Sequence, residues 1–119
     1  MTTQRENPPR AELLQGTLDV LILRTLDLGS QHGQGIARAI QETSGDFLLV
    51  DHGSLYPALQ RLEKKKWIQA KWGISSNNRR ARFYDLTARG RRQLEVEMSR
   101  WYKLVDAMER VLGARGMGG

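Results

Sequence analysis

The chain has 119 residues, enough for one modest hydrophobic core, and 19 Lys and Arg against 13 Asp and Glu leave a formal charge of +6 that favours a polyanionic partner. It contains no cysteine, which excludes disulfide frameworks, thiolate metal sites and cysteine nucleophiles. The most apolar run, Leu18 to Leu28, is broken by Asp19, Arg24, Thr25 and Asp27 and falls short of a membrane span.

Met1 to Arg10 is polar, carries Pro8 and Pro9 and lacks the apolar stretch of a secretory signal, so residues 1–10 are expected to form a disordered arm on a cytoplasmic protein. From about Ala11 to Leu28 the sequence reads as a helix that is apolar around most of its circumference. Leu14, Leu18, Leu21 and Ile22 make one stripe, and Leu13, Val20, Leu23 and Leu26 lie on other faces. Such a helix is buried on more than one side, either at the centre of the fold or against a partner subunit. Gly29 suits a left-handed cap, and Ser30 to Gly35 a turn. A short helix is predicted from about Gly35 to Thr43, with Ile36, Ala37 and Ile40 inward. Its neighbour starts at Ser54, whose hydroxyl is a candidate cap, with Pro57 in the first turn, where no intrahelical donor is lost. Leu55, Leu59 and Leu62 repeat at helical spacing and face inward. Ser54, Pro57, Gln60, Arg61 and Lys64 are left on the outer face, where a groove can be read.

Trp67 to Trp72 alternates as a strand, with Ile68, Ala70 and Trp72 on one side and Gln69 and Lys71 on the other. Gly73 to Arg79 is a polar turn, and Ala81 to Leu86 is the return strand, with Tyr84 and Leu86 sharing a face and Arg82 nearer the tip. Two strands alone are marginal in water, so this hairpin must lean on the helices. Thr87 is the predicted cap of a last helix reaching about Leu112. Along it Leu94, Met98, Trp101, Val105, Met108 and Leu112 alternate spacings of four and three, a heptad seam. At roughly 1.5 Å per residue the helix runs roughly 38 Å, longer than the domain it leaves, so a second subunit is its natural cover. Residues 114–119 are expected to be a disordered tail. The order of short helix, basic hairpin and long helix predicts a mainly α fold with a small β-hairpin. Residues 11–87 are expected to form a winged helix-turn-helix for double-stranded DNA, and residues 88–113 a long C-terminal dimerisation helix.

With these elements in place, the chain resembles the PadR family of transcriptional regulators, in its short subgroup with a single C-terminal helix. The resemblance runs through Gly16-Thr17-Leu18, His32-Gly33 with Ile36-Ala37, Gly53-Ser54-Leu55-Tyr56-Pro57-Ala58-Leu59 and Arg61-Leu62-Glu63. It continues through Trp72-Gly73, Arg79-Arg80, Tyr84, Leu86-Thr87, Gly90 and Leu94. It covers residues 11–113, and the Leu-Tyr-Pro start combined with the Leu-Thr-x-x-Gly strand exit is specific. Gln34 stands where members usually have tyrosine, and Asp85 where a basic residue is common. Lys66 replaces a usual glycine, so that turn either bends differently or holds a non-glycine residue at positive φ. The resemblance implies a homodimer, each last helix packing on its partner's first and last helices, and a pseudo-palindromic operator, often with ATGT and ACAT halves. It further implies that the helix begun at Ser54 enters the major groove and that the Gly73 to Arg79 tip follows the adjacent minor groove.

The candidate DNA-binding residues are Ser54, Tyr56, Pro57, Gln60, Arg61 and Lys64 on that helix, and Arg79, Arg80 and Arg82 on the wing. Arg79 and Arg80 lead, because guanidinium groups on a projecting tip suit phosphates and a narrow minor groove. Tyr56 either packs on the domain or meets the groove, while Gln60 or Arg61 is the expected base reader. The candidate dimer interface comprises Leu14, Leu18, Leu94, Met98, Trp101, Val105, Met108 and Leu112. Trp101 is either a core knob of that seam or one wall of a pocket for a small aromatic effector that releases a repressor from its promoter. His32 and His52 lack carboxylate or metal-ligand partners at useful spacing, which argues against an enzyme and against a metal. Gly33-Gln34-Gly35 fails as a dinucleotide fingerprint because Arg38 fills its third glycine position, so no cofactor is expected. The rival reading is a winged-helix interaction module that meets an acidic protein.

Overall fold

The computed structural model describes residues 15–113, in the order α1 (Gln15–Asp27), β1 (Gln31–His32), α2 (Gly33–Thr43), α3 (His52–Lys64), β2 (Ile68–Ile74), β3 (Arg80–Leu86) and α4 (Ala88–Leu112). The expectations for the arm, for Leu13 and Leu14 and for the tail lie outside the described residues. The predicted mainly α architecture with a small sheet is the one observed.

Ile22 and Leu23, adjacent in sequence, are both fully buried, and Leu18 and Leu26 nearly so, which makes α1 the central helix. Ile36 and Ile40 of α2, Leu55, Leu59 and Leu62 of α3, and Ile68, Tyr84 and Leu94 pack around it. Each aliphatic side chain taken from water in this way contributes roughly 1.5–3 kcal/mol, so this cluster is the main source of stability.

The segment after α1, expected to be only a turn, adds a strand. Gln31 and His32 pair antiparallel with Tyr84 and Phe83, which puts β3 in the middle of a sheet ordered β1-β3-β2. The hairpin thus has a third strand as well as the helices to lean on. Gly29 does not form the expected left-handed cap, since its φ is 159°, away from the left-handed helical well. Strands β2 and β3 pair from Ile68 with Leu86 out to Ile74 with Arg80, beyond the lengths that alternation predicts. At the tip, the Ser75 amide donates to the Arg79 carbonyl at 2.7 Å and Asn78 turns the chain at φ 64°.

The start of α3 also differs from expectation. Asp51, not Ser54, is the cap: its carboxylate accepts the Ser54 amide at 2.7 Å. The helix therefore begins at His52, which moves Pro57 into the second turn, where it leaves the carbonyl of exposed Gly53 without its intrahelical donor. At the other end, the Lys66 amide donates to the Glu63 carbonyl and the Trp67 amide to the Leu62 carbonyl, the paired bonds of a Schellman turn. Lys66 takes the left-handed position usually given to glycine, at φ 64°. Thr87 caps α4 as predicted, accepting the Gly90 amide at 3.0 Å. Its hydroxyl donates to the Lys66 carbonyl at 2.7 Å and its amide to the Trp67 carbonyl at 3.0 Å, which fixes the origin of α4 to the entry of β2.

Candidate nucleic-acid interface

Because Leu55, Leu59 and Leu62 hold one side of α3 in the core, Ser54, Tyr56, Pro57, Gln60 and Lys64 are exposed on its other side. The β2–β3 hairpin rises beside this face, and the two enclose a cleft of about 440 Å³ lined by Tyr56 and Gln60 from α3 and by Trp72, Arg79, Arg80 and Arg82 from the wing. The structure thus brings most of the sequence-predicted DNA-binding residues onto one concave surface.

The cationic residues of this surface differ in how much freedom they have. Arg82 donates to the Glu63 carboxylate at 2.8 Å and lies over the Tyr84 ring, so part of its charge is neutralised. Arg80 stacks on Trp72 at 4.7 Å from the ring centroid, which orients the guanidinium, and it forms no ion pair among the described residues. Arg79 and Lys64 are exposed and form no ion pair among the described residues. Asp85, where the wing lacks the usual basic residue, is partnered by Lys71 at 3.7 Å. Burial pushes the Tyr84 phenol up from its ordinary value, so this ring stays neutral under the wing.

Tyr56 packs on the domain and is also open to the cleft. Its ring lies over α2 so closely that a Cβ at Gly33 would stand 2.8 Å from its hydroxyl, yet the residue remains 41% exposed at the cleft. Gln34, in the place of the usual tyrosine, lines the same cleft. Arg61 is placed differently from expectation: its guanidinium turns inward from the outer face and donates to Asp19 of α1 at 2.8 Å. The sequence marks Trp72 as a strand residue and part of the family resemblance, but not as a partner of Arg80, which stacks on it.

The predicted seam on α4 divides into two parts. Leu94, 3% exposed, belongs to the chain's own core, and so does Leu18 of α1, also 3% exposed; neither presents surface for a partner. Met98 packs against that core. Beyond it Trp101 is 43% exposed, Val105 is half-buried, and Met108 and Leu112 are largely exposed. Leu104 and Val111, absent from the predicted seam, widen the apolar face of this half, because they follow the companion spacing Trp101, Leu104, Met108, Val111. Trp101, Leu104, Val105, Met108 and Leu112 border a shallow trough with almost no polar lining.

The transcriptional regulator PadR-like family model matches residues 22–96, from the second half of α1 into the first half of α4. The chain belongs to the PadR-like family. Among solved structures, a PadR family transcription regulator from Clostridium difficile is 31% identical, with a TM-score of 0.70 over 81% of this chain and 98% of that one. A PadR-like transcriptional regulator from Bacillus cereus is 26% identical, with a TM-score of 0.72 over 86% of this chain and 97% of that one. A curated but uncharacterized protein from Lysinibacillus sphaericus is 27% identical over 100 residues, 84% of this chain and 92% of that protein. As a PadR-like protein the chain is a DNA-binding transcription regulator with a winged-helix fold, not an enzyme. Among the described residues, no helix is long and apolar enough to cross a membrane.

Proposed function

We propose that the protein represses transcription as a homodimer in the cytoplasm, each copy placing α3 in the major groove of one half of a pseudo-palindromic operator and its wing in the adjacent minor groove. The observation that carries this reading is the cleft in which Tyr56 and Gln60 face Arg79 and Arg80. Arg79, Arg80 and Lys64 supply sequence-independent attraction to phosphates, and Gln60, Tyr56 and Pro57 supply contacts to base edges and thymine methyls. With its amide held by Asp51, Ser54 in the first turn of α3 offers a phosphate only its hydroxyl.

Two reading helices must lie about one duplex turn apart, roughly 34 Å, to engage both halves, and the exposed apolar half of α4 is the surface offered to the second copy. Trp101 on that surface is the proposed wall of an aromatic effector site, through which a ligand favours one spacing of the reading helices over another. Selection from random duplex DNA tests the reading. A two-fold symmetric preferred site, bound by two copies and vacated when a small aromatic ligand quenches tryptophan fluorescence, is the expected result. Binding by a single copy, or no preferred site, would overturn it.

A further inference from the structure

One charged contact joins α1 to α3. Arg61 Nη2 donates to Asp19 Oδ1 at 2.8 Å across 42 positions of sequence, with the Arg61 side chain 32% and the Asp19 side chain 15% exposed. The Arg61 Nε is buried without an acceptor among the described residues. Burial pushes the Asp19 carboxyl above its ordinary value, Arg61 pulls it back, and Lys65 from the end of α3 and Glu97 from α4 also act on it. The pair therefore lies where α1, α3 and α4 converge.

An Arg61 that reached for DNA would leave a shielded carboxylate without its partner, which is costly. A pair of this kind is also a poor source of net stability, because desolvation offsets the attraction; its best-attested use is to select one arrangement among several. Leu55, Leu59 and Leu62 give α3 apolar contact, and such contact is non-directional. A charge-assisted hydrogen bond has a preferred geometry and resists rotation of the helix about its axis.

We propose that Arg61 is a positioning residue: through Asp19 it fixes the rotation of α3, and hence which of Tyr56, Pro57 and Gln60 meet the bases, without itself touching DNA. This rests on α3 being the reading helix.

The test uses the full chain, a duplex selected from random DNA by the wild type, and a random duplex of equal length. Asp19→Asn, which keeps the Arg61 charge but leaves only a neutral hydrogen bond to hold it, should lose roughly tenfold on the selected duplex, the order of one base contact. Its affinity for random duplex and its salt slope should stay as in the wild type. Arg61→Gln should show the same pattern, the double variant should be no worse than either single one, and Arg61→Lys, which keeps the charge without the planar fork, should recover only part of the loss. Wild-type behaviour of Asp19→Asn alongside a weakened Arg61→Gln would overturn the proposal, as would a salt slope reduced by about one in Arg61→Gln, the mark of a phosphate contact. If Asp19→Asn melts below the assay temperature, Asp19→Glu takes its place. That variant keeps the charge but shifts it by one methylene, so discrimination should relax, and unchanged discrimination would overturn the proposal. A wild type that selects no duplex removes the reading-helix assignment and the proposal with it; a wild type that selects a site while Asp19→Asn is neutral removes the positioning role alone.

Discussion

Gly90, in the first turn of α4, lies directly against the backbone carbonyl of Trp67, with no room between them for a Cβ. The obstacle is main chain, held in place by the Thr87 amide, so it cannot swing aside as a flexible side chain would. Gly90→Ala is expected to destabilise the fold by about 1–3 kcal/mol, the usual cost of overpacking, despite alanine's higher helix propensity. Denaturant midpoints of the two proteins decide this, and an unchanged midpoint would show that the junction can relax.

Lys66 offers the opposite case. Its left-handed backbone costs a side-chain-bearing residue about 1 kcal/mol, and the side chain is exposed. Lys66→Gly should therefore raise stability by up to about 1 kcal/mol, reduced by the extra freedom glycine gives the unfolded chain. Thermal unfolding measures the balance; a lower melting temperature would mean that the lysine side chain offsets the strain by an interaction of its own.

Arg79 and Arg80 are the wing cations without carboxylate partners among the described residues. Replacing both by alanine should weaken binding to selected and random duplex alike and lower the salt slope by about 2, one unit for each phosphate no longer neutralised. Titrations at several salt concentrations provide the check, and a loss confined to the selected duplex would assign these residues to base reading instead.

Met108 stands on the exposed half of α4, away from the core. A charge there should split a dimer without unfolding either copy, so Met108→Glu is expected to sediment as a single copy with far-ultraviolet dichroism close to that of the wild type. A variant that still sediments as two copies would move the interface elsewhere.

The carboxyl of Asp19 has a sign that can be tested against pH. Burial raises its folded value above the ordinary 3.8, so the folded state holds the proton where the unfolded state has released it. Its contribution to stability is then full below the ordinary value and is lost as pH rises through the folded one. The unfolding free energy of the wild type minus that of Asp19→Asn should accordingly fall as pH climbs from the acid side of 3.8 towards neutrality. A difference that grows over that range would mean that the Arg61 contact outweighs desolvation.

The features legible in the sequence are those governed by local spacing. Leu55, Leu59 and Leu62 announce the buried side of α3, and Thr87 announces the start of α4, because each depends on neighbours within a turn or two. Gln31 and His32 form a strand only because Phe83 and Tyr84 present free edge groups to them, a pairing no window of sequence contains. The hydroxyl of Ser54 draws the eye as a cap, although the spacing Asp51, Ser54 is itself the signal of a cap receiving the third amide. Leu94 keeps perfect heptad step with Leu112, and periodicity cannot say that one faces its own chain while the other faces outward. Arg61 carries the same chemistry as Arg79, and only a carboxylate distant in sequence sets it apart.

Because Leu94 completes the core, and Thr87 ties its own helix to the Lys66 and Trp67 carbonyls, the winged portion cannot be separated cleanly at the strand exit. A fragment ending at Thr87 would have an uncovered apolar floor and a loosened hairpin, whereas one extended past Met98 would retain both closures. The self-contained unit therefore includes the root of the rod, and proteolytic trimming is expected to stop there.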